Sequence, residues 1–294
     1  MTTKIGWVGT GTMGTAIIKT LLAKGYSVSV YNRTQSNAED LLSLGCNWCE
    51  TPTQLGLECD TIFLCISGVE AAKEVLWNPR TGLCSGKDKV STVIDLSTIA
   101  PSVAESFEQR LRCEGVTYIS CPISGGTEGA EAGALAAIVS GPAGQIASLS
   151  ELLESFTEKI TVVESAAKAQ TLKVLNNLAE SINLLGALEV LSAGRRLGCR
   201  LEEMEQAFMS CRGRSAYMQV ALDYLKNGLE TSNVGLDVRH KDIGLADDLV
   251  CQWKELVISD TVIKQYQSLW KSSGADGDQC DYYRTINKSI PELG

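Results

Sequence analysis

Four groups of residues in this 294-residue chain have the types and spacing to do chemistry. The first is the segment "GTGTMG", Gly9, Thr10, Gly11, Thr12, Met13 and Gly14, between the apolar run "IGWV" and the helix-like run "TAIIKTLLAK". Glycines at that spacing allow a tight turn, a close approach of backbone to a pyrophosphate and close packing of a helix on a strand. A helix starting near Thr12 offers free N–H groups and the positive end of its dipole to phosphates. Dinucleotide binding is the expected use of this turn. At the end of the second apolar run an acidic residue would bind the adenine ribose hydroxyl of NAD and repel a 2′-phosphate; the chain has Asn32, Arg33 and Thr34 there. Arg33 is expected to grip that extra phosphate. NADP(H) is therefore the expected cofactor, with NAD(H) possible.

The second and third groups are "DLSTIAPS" (95–102) and "CPISGGTEGAEAGALAAIVSG" (121–141). Ser97 and Thr98 stand at the carboxyl end of an expected strand, where ligands of open α/β sheets bind. Ser124, Gly125 and Gly126 offer a hydroxyl and two unobstructed backbone amides, a set able to hold a carboxylate or a polarised oxygen. The fourth is Lys173 with Asn177, four apart in "TLKVLNN" and thus neighbours on one helix face. Leu172, Val174 and Leu175 flank the lysine, and desolvation there would bring its pKa toward working pH. Metal chemistry is not expected: Cys46 and Cys49 form an isolated C-x-x-C, and His240 is the single histidine of the chain. The eleven cysteines are odd in number and scattered, and read as reduced packing residues.

Two kinds of element must position these groups. In the first half, runs at 5–9, 27–32, 61–67, 91–97 and 117–122 are rich in Val, Ile and Thr and too short for helices, and they alternate with helical segments. That alternation predicts a mostly parallel, doubly wound sheet, a Rossmann-type α/β fold, with "GALAAIVSG" adding one further strand. From Ser165 to Arg196 a proline-free stretch places Leu172, Leu175, Leu178, Ile182, Leu185, Leu188 and Leu191 at helical spacing. Helices at 201–211, 215–227, 236–254 and 255–272 follow. The expected division is a dinucleotide-binding domain over 1–163 and an all-helical domain over 164–294. A formal charge of −9 disfavours nucleic acid and anionic membrane partners. No apolar run approaches the roughly 20 residues of a membrane span. With the first strand expected near Lys4, a cytoplasmic setting is anticipated.

Together these segments resemble the β-hydroxyacid dehydrogenase family, with 3-hydroxyisobutyrate dehydrogenase and the glyoxylate/succinic semialdehyde reductases among its members. The resemblance runs from "GWVGTGTMG" through "DLSTIAP" and "PISGGTEGAEAGALAAIVSG" to "KDIGLA" (241–246). It implies hydride transfer between a nicotinamide and a small carboxylate-bearing aldehyde or 3-hydroxy acid. In the family pattern Ser124, Gly125 and Gly126 hold the substrate carboxylate, Lys173 is the acid or base, and Asn177 places the substrate. Thr98 and Lys241 match positions against the nicotinamide, and Ile66 and Ser67 line the adenosine side. A homodimer or homotetramer is implied as well. The chain departs from the pattern before the lysine, where "ESAAKAQTLK" has Ala167, Lys168 and Ala169 in place of glycines. Alternatives are an NAD-dependent 3-hydroxyisobutyrate-type dehydrogenase, an imine reductase, in which the lysine position generally differs, and a non-catalytic NADPH sensor. Arg212 and Arg214 are open to a second substrate carboxylate or to solvent.

Overall fold

A computed structural model describes residues 4–85 and 90–289. They form two compact units, Met1–Lys173 and Val174–Gly294, so the division falls inside one long helix, Ala166–Arg196.

The first unit holds strands β1 (Ile5–Val8), β2 (Val28–Tyr31), β3 (Asn47–Trp48), β4 (Thr61–Leu64), β5 (Thr92–Asp95) and β6 (Thr117–Ser120). They pair in the order β3-β2-β1-β4-β5-β6, every pair parallel, which is the Rossmann order. Neighbouring residues of a strand feed opposite faces. Trp7, Phe63, Ile94 and Ile119 enter one apolar cluster and Val8, Leu64, Val93 and Tyr118 another. A sheet covered on both faces has strands that read as unbroken apolar runs, which is why β1, β2, β4, β5 and β6 were visible in the sequence and the short edge strand β3 was not.

The run "GALAAIVSG" forms a strand as expected, outside this sheet. It forms β8 (Leu135–Val139) of a separate sheet with β7 (Ile123–Ser124) and β9 (Thr157–Val162), order β7-β8-β9. β7 runs antiparallel to β8, and β9 parallel to it. A single bridge, Ser120 to Ser140, links β6 to the end of β8. The carboxyl end of β6 is thereby led into the Ser124–Gly126 loop.

The second unit is helical: the remainder of the long helix, then Leu201–Ser210, Ala216–Lys226, Leu236–Val250, Val257–Ser273 and Tyr282–Asn287. Leu178, Leu184, Leu188 and Leu191 pack there with Leu222, Ile243, Tyr266 and Tyr283 in one cluster. The fourth of these segments ends at Val250, short of the expected 254, and the last helix was not anticipated. No helix among the described residues is long and apolar enough to cross a membrane.

The three glycines of the β1 turn differ in what they do for the fold. Gly9 has φ +99°, and a Cβ there would lie 2.2 Å from the Cys65 carbonyl oxygen; at Gly14 a Cβ would lie 2.1 Å from the Gly9 carbonyl oxygen. Gly11 has φ −72° and nothing within 4 Å of its Cβ position. We expect Gly9→Ala and Gly14→Ala each to cost about 2 kcal/mol or more, from backbone strain and overpacking. Gly11→Ala should cost no more than about 1 kcal/mol, the loss of a helix-capping glycine. Thermal unfolding of the three variants checks this, and equal losses would contradict it.

Candidate active site

The β1 turn leads into the helix Thr12–Ala23, whose first turn has no side-chain cap and no acidic residue. Its leading N–H groups are left to a ligand or to solvent. Gly11 and Thr12 are exposed and Met13 is half-buried, whereas Thr10 is buried with its Oγ1 unpartnered. An open face at Gly11, unpaired donors and an orphaned hydroxyl fit a dinucleotide pyrophosphate.

Asn32 is committed to the backbone. Its Oδ1 accepts from the Thr10 N–H at 3.2 Å and its Nδ2 donates to the Thr34 carbonyl at 2.9 Å. It therefore ties the glycine turn to the segment carrying Arg33. Arg33 and Thr34 are exposed just past β2. Beyond β4, Ile66 is half-buried and Ser67 exposed. Beyond β5, Thr98 is half-exposed between buried Ser97 and Ile99. Beneath that loop Asp95 Oδ1 accepts from the Ser97 N–H at 2.9 Å, and Asp95 Oδ2 accepts from the Tyr118 hydroxyl at 2.9 Å. Burial, and then the charge of Asp95, hold the Tyr118 phenol well above its ordinary pKa, so it stays a donor.

Ser124 ends β7, paired with Ala136 of β8, and is half-buried; Gly125 and Gly126 beyond it are exposed. Gly125 has φ +136° and Gly126 φ +65°, so the loop turns through backbone geometry that side chains resist. The result is an exposed pair of amides beside one hydroxyl.

The long helix reverses the expected polarity over its first three turns. Leu172 and Leu175 are 36% and 40% exposed, while Gln170, Lys173 and Asn177 are 0%, 7% and 2% exposed. Of the three residues expected to enclose the lysine, Val174 alone is buried. Lys168 is more than half exposed and pairs with Glu164 at 3.6 Å, which assigns it to the solvent side.

In the second unit Asn177 Nδ2 donates to Asp242 Oδ2 at 2.8 Å, and Lys241 Nζ lies 3.0 Å from Asp242 Oδ1. Asn177 Oδ1 is buried without a partner, an acceptor available to a ligand hydroxyl. Arg239, also buried, donates to the Asn177 carbonyl at 3.3 Å, to Gln279 Oε1 at 2.7 Å and to the Tyr217 hydroxyl at 2.9 Å. Arg239 and Asp242 went unnoticed in the sequence although Asp242 adjoins Lys241; a charged residue on a polar helix carries no mark of burial. Arg212 and Arg214 are both exposed. His240 stacks on Trp270 at 4.5 Å, and burial lowers its pKa. Burial likewise pushes the Cys46 and Cys49 thiols up to about 11 and about 12, which keeps them protonated packing groups.

Residues 4–164 match the profile of the NAD binding domain of 6-phosphogluconate dehydrogenase, and residues 167–286 that of the NAD-binding domain of NADP-dependent 3-hydroxyisobutyrate dehydrogenase. The chain is 28% identical over 279 residues to a probable 3-hydroxyisobutyrate dehydrogenase-like mitochondrial protein of Arabidopsis thaliana, covering 94% of this chain and 82% of that one. It is 28% identical over 243 residues to 2-hydroxy-3-oxopropionate reductase of Escherichia coli, covering 83% and 82%. Among solved structures, Psf3 in complex with NADP+ and 2-OPP superposes with a TM-score of 0.91 at 42% identity, covering 96% of this chain and 99% of Psf3. With a strand order, a glycine turn and a nearly full-length match that agree, the chain belongs to the β-hydroxyacid dehydrogenase family of NAD(P)-dependent oxidoreductases.

Proposed function

We propose that the chain is an NADPH-preferring reductase of small carboxylate-bearing aldehydes, running in reverse as a 3-hydroxy acid dehydrogenase. The observation that carries this reading is the burial of Lys173, 7% exposed, in line with Gln170 and Asn177 on a stretch of helix where Leu172 and Leu175 face outward. A lysine buried on a polar stripe is costly unless it is used or paired, and such groups concentrate at functional sites. Two relatives support the substrate class by their names. Both 2-hydroxy-3-oxopropionate and 3-hydroxyisobutyrate carry a carboxylate, with the aldehyde or hydroxyl two carbons along. Psf3, at 42% identity, is described with NADP+, which supports the nucleotide choice alongside Arg33.

When bound, the nicotinamide supplies or accepts the hydride at the carbonyl carbon. The chain does the rest. The Gly11 face and the first turn of Thr12–Ala23 hold the pyrophosphate, and Arg33 holds the 2′-phosphate. The Ser124 hydroxyl and the Gly125 and Gly126 amides hold the substrate carboxylate, fixing orientation so that transfer becomes effectively unimolecular. The Asn177 carboxamide, oriented by Asp242, accepts from the substrate hydroxyl. In reduction the Lys173 ammonium gives a proton to the developing alkoxide oxygen; in oxidation its neutral amine takes the hydroxyl proton.

The reading is tested by NADPH absorbance with 2-hydroxy-3-oxopropionate, succinic semialdehyde and glyoxylate, with NADH run in parallel. Binding of NADPH without turnover of any of them would favour a sensor. Arg33→Ala should weaken NADPH by roughly tenfold or more, the strength of a charged hydrogen bond, and NADH by no more than about twofold. Titrations of both cofactors decide it, and equal losses would remove the 2′-phosphate assignment.

Lys173→Ala should fold, bind NADPH and lose about 10²- to 10⁴-fold in kcat. Lys173→Arg should not restore turnover, because a guanidinium does not release its proton near neutral pH. An arginine enzyme with near-normal kcat would make the lysine an electrostatic anchor instead. Gly126 sits at φ +65°, a conformation that asparagine tolerates, so Gly126→Asn tests the loop with little strain. We expect KM for the aldehyde to rise about tenfold or more with cofactor Kd unchanged. A matching loss of cofactor affinity would make the loop structural.

A further inference from the structure

Gln170 has no role in the hydride or proton transfers, yet its side chain is wholly buried three residues before Lys173. Both polar atoms of its carboxamide are engaged within the first unit. Oε1 accepts from the Ile99 N–H at 3.1 Å; Nε2 donates to the Ser97 carbonyl at 2.9 Å and to the Ser120 hydroxyl at 3.2 Å. The two main-chain groups held are those on either side of Thr98. Ser97 is held again from below, its N–H by Asp95, and its hydroxyl accepts from the Ile66 N–H at 3.3 Å. One carboxamide thus joins the loop beyond β5 and the last residue of β6 to the helix carrying Lys173, and through Ser97 reaches the loop beyond β4. These are the carboxyl ends of the strands, where an open parallel sheet binds its ligand.

We propose that Gln170 is a positioning residue, whose carboxamide locks the Thr98 loop and the Lys173 helix in one mutual geometry. The proposal rests on the acid–base role given above to Lys173. A helix can slide by a fraction of an ångström on an apolar loop with little resistance, because dispersion contacts are non-directional. Three directed hydrogen bonds from one buried group fix both distance and angle. Thr98 is half-exposed between buried Ser97 and Ile99, so a shift of the loop would appear at Thr98. Misplacement of about 1 Å can cost on the order of 10²-fold in rate without loss of binding.

The test is Gln170→Met, which keeps volume and removes all three bonds, beside Leu153→Ala as a control destabilised at a buried apolar site away from the clamp. Amide hydrogen exchange of the NADPH-free protein should show protection of the Ile99 N–H falling at least about tenfold in Gln170→Met. The control should show no such local loss at matched thermal stability. With the aldehydes named above, kcat should fall roughly 10- to 100-fold while KM and NADPH Kd stay within about threefold. In a Lys173→Ala background the Gln170→Met effect on kcat should vanish, since a misplaced donor that is absent costs nothing more. Unchanged Ile99 protection would overturn the proposal. So would a kcat loss no greater than the control's while Lys173→Ala is inactive. Lys173→Ala at full kcat would instead overturn the acid–base reading.

Discussion

The first unit depends on one close contact. Trp7 Nε1 donates to the Gly9 carbonyl at 2.9 Å, and that same carbonyl occupies the space a side chain at Gly14 would need. The helix Thr12–Ala23 can therefore start almost on top of β1, its leading N–H groups aimed past the strand end. Trp7 is held in turn by stacking on Phe63 at 4.9 Å, and Phe63 by an edge contact with Phe156 at 5.9 Å. The aromatic ladder crosses from β1 to β4 to the segment before β9. The nucleotide cradle is thus an outgrowth of the core, and small residues there are dictated as much by packing as by the ligand.

The second constraint is the cost of burying polar groups. Asp95, Ser97, Tyr118, Ser120 and Gln170 are all buried, and each has a partner. A network of this kind fixes geometry because any rearrangement strands a donor or acceptor at a cost of about 1–3 kcal/mol. In the second unit the Arg239 fan over Glu180, Tyr217 and Gln279 does the same for the helices that carry Asn177 and Asp242. Against that network Asn177 Oδ1 is left buried without a hydrogen-bond partner.

Five strands of the parallel sheet were legible because burial makes them continuous apolar runs, and the long helix because nothing interrupts it; the edge strand β3, two residues long and exposed at Asn47, was not. β7, two residues long, and β9, whose Glu158 and Lys159 face solvent, were not, since a short or charged edge strand has no apolar signature. The glycine turn, Arg33, Ser124 and Lys173 were recognisable as chemistry-bearing types at meaningful spacing. Gln170 and Asp242 were not. Leucine spacing pointed to Leu172 and Leu175 as the inner face, and only the fold reveals that the polar residues between them are inside. Pattern reading assumes that apolar means buried, and it fails where a site inverts the rule.

Asn32 couples two parts of the chain that are usually treated as separate modules. Because its carboxamide spans from the Thr10 amide to the Thr34 carbonyl, the segment carrying Arg33 and the glycine turn share one support. Installing the acidic residue that NAD-selective chains carry at this strand end, directly at position 32, would exchange the donor to Thr34 for a second acceptor and set two oxygens against each other. The route by which this lineage can drift between nucleotides is therefore narrowed. Positions 33 and 34 are exposed and free to vary, while position 32 is held by the architecture, and a substitution there disturbs the Thr10 turn and the Thr34 segment at once.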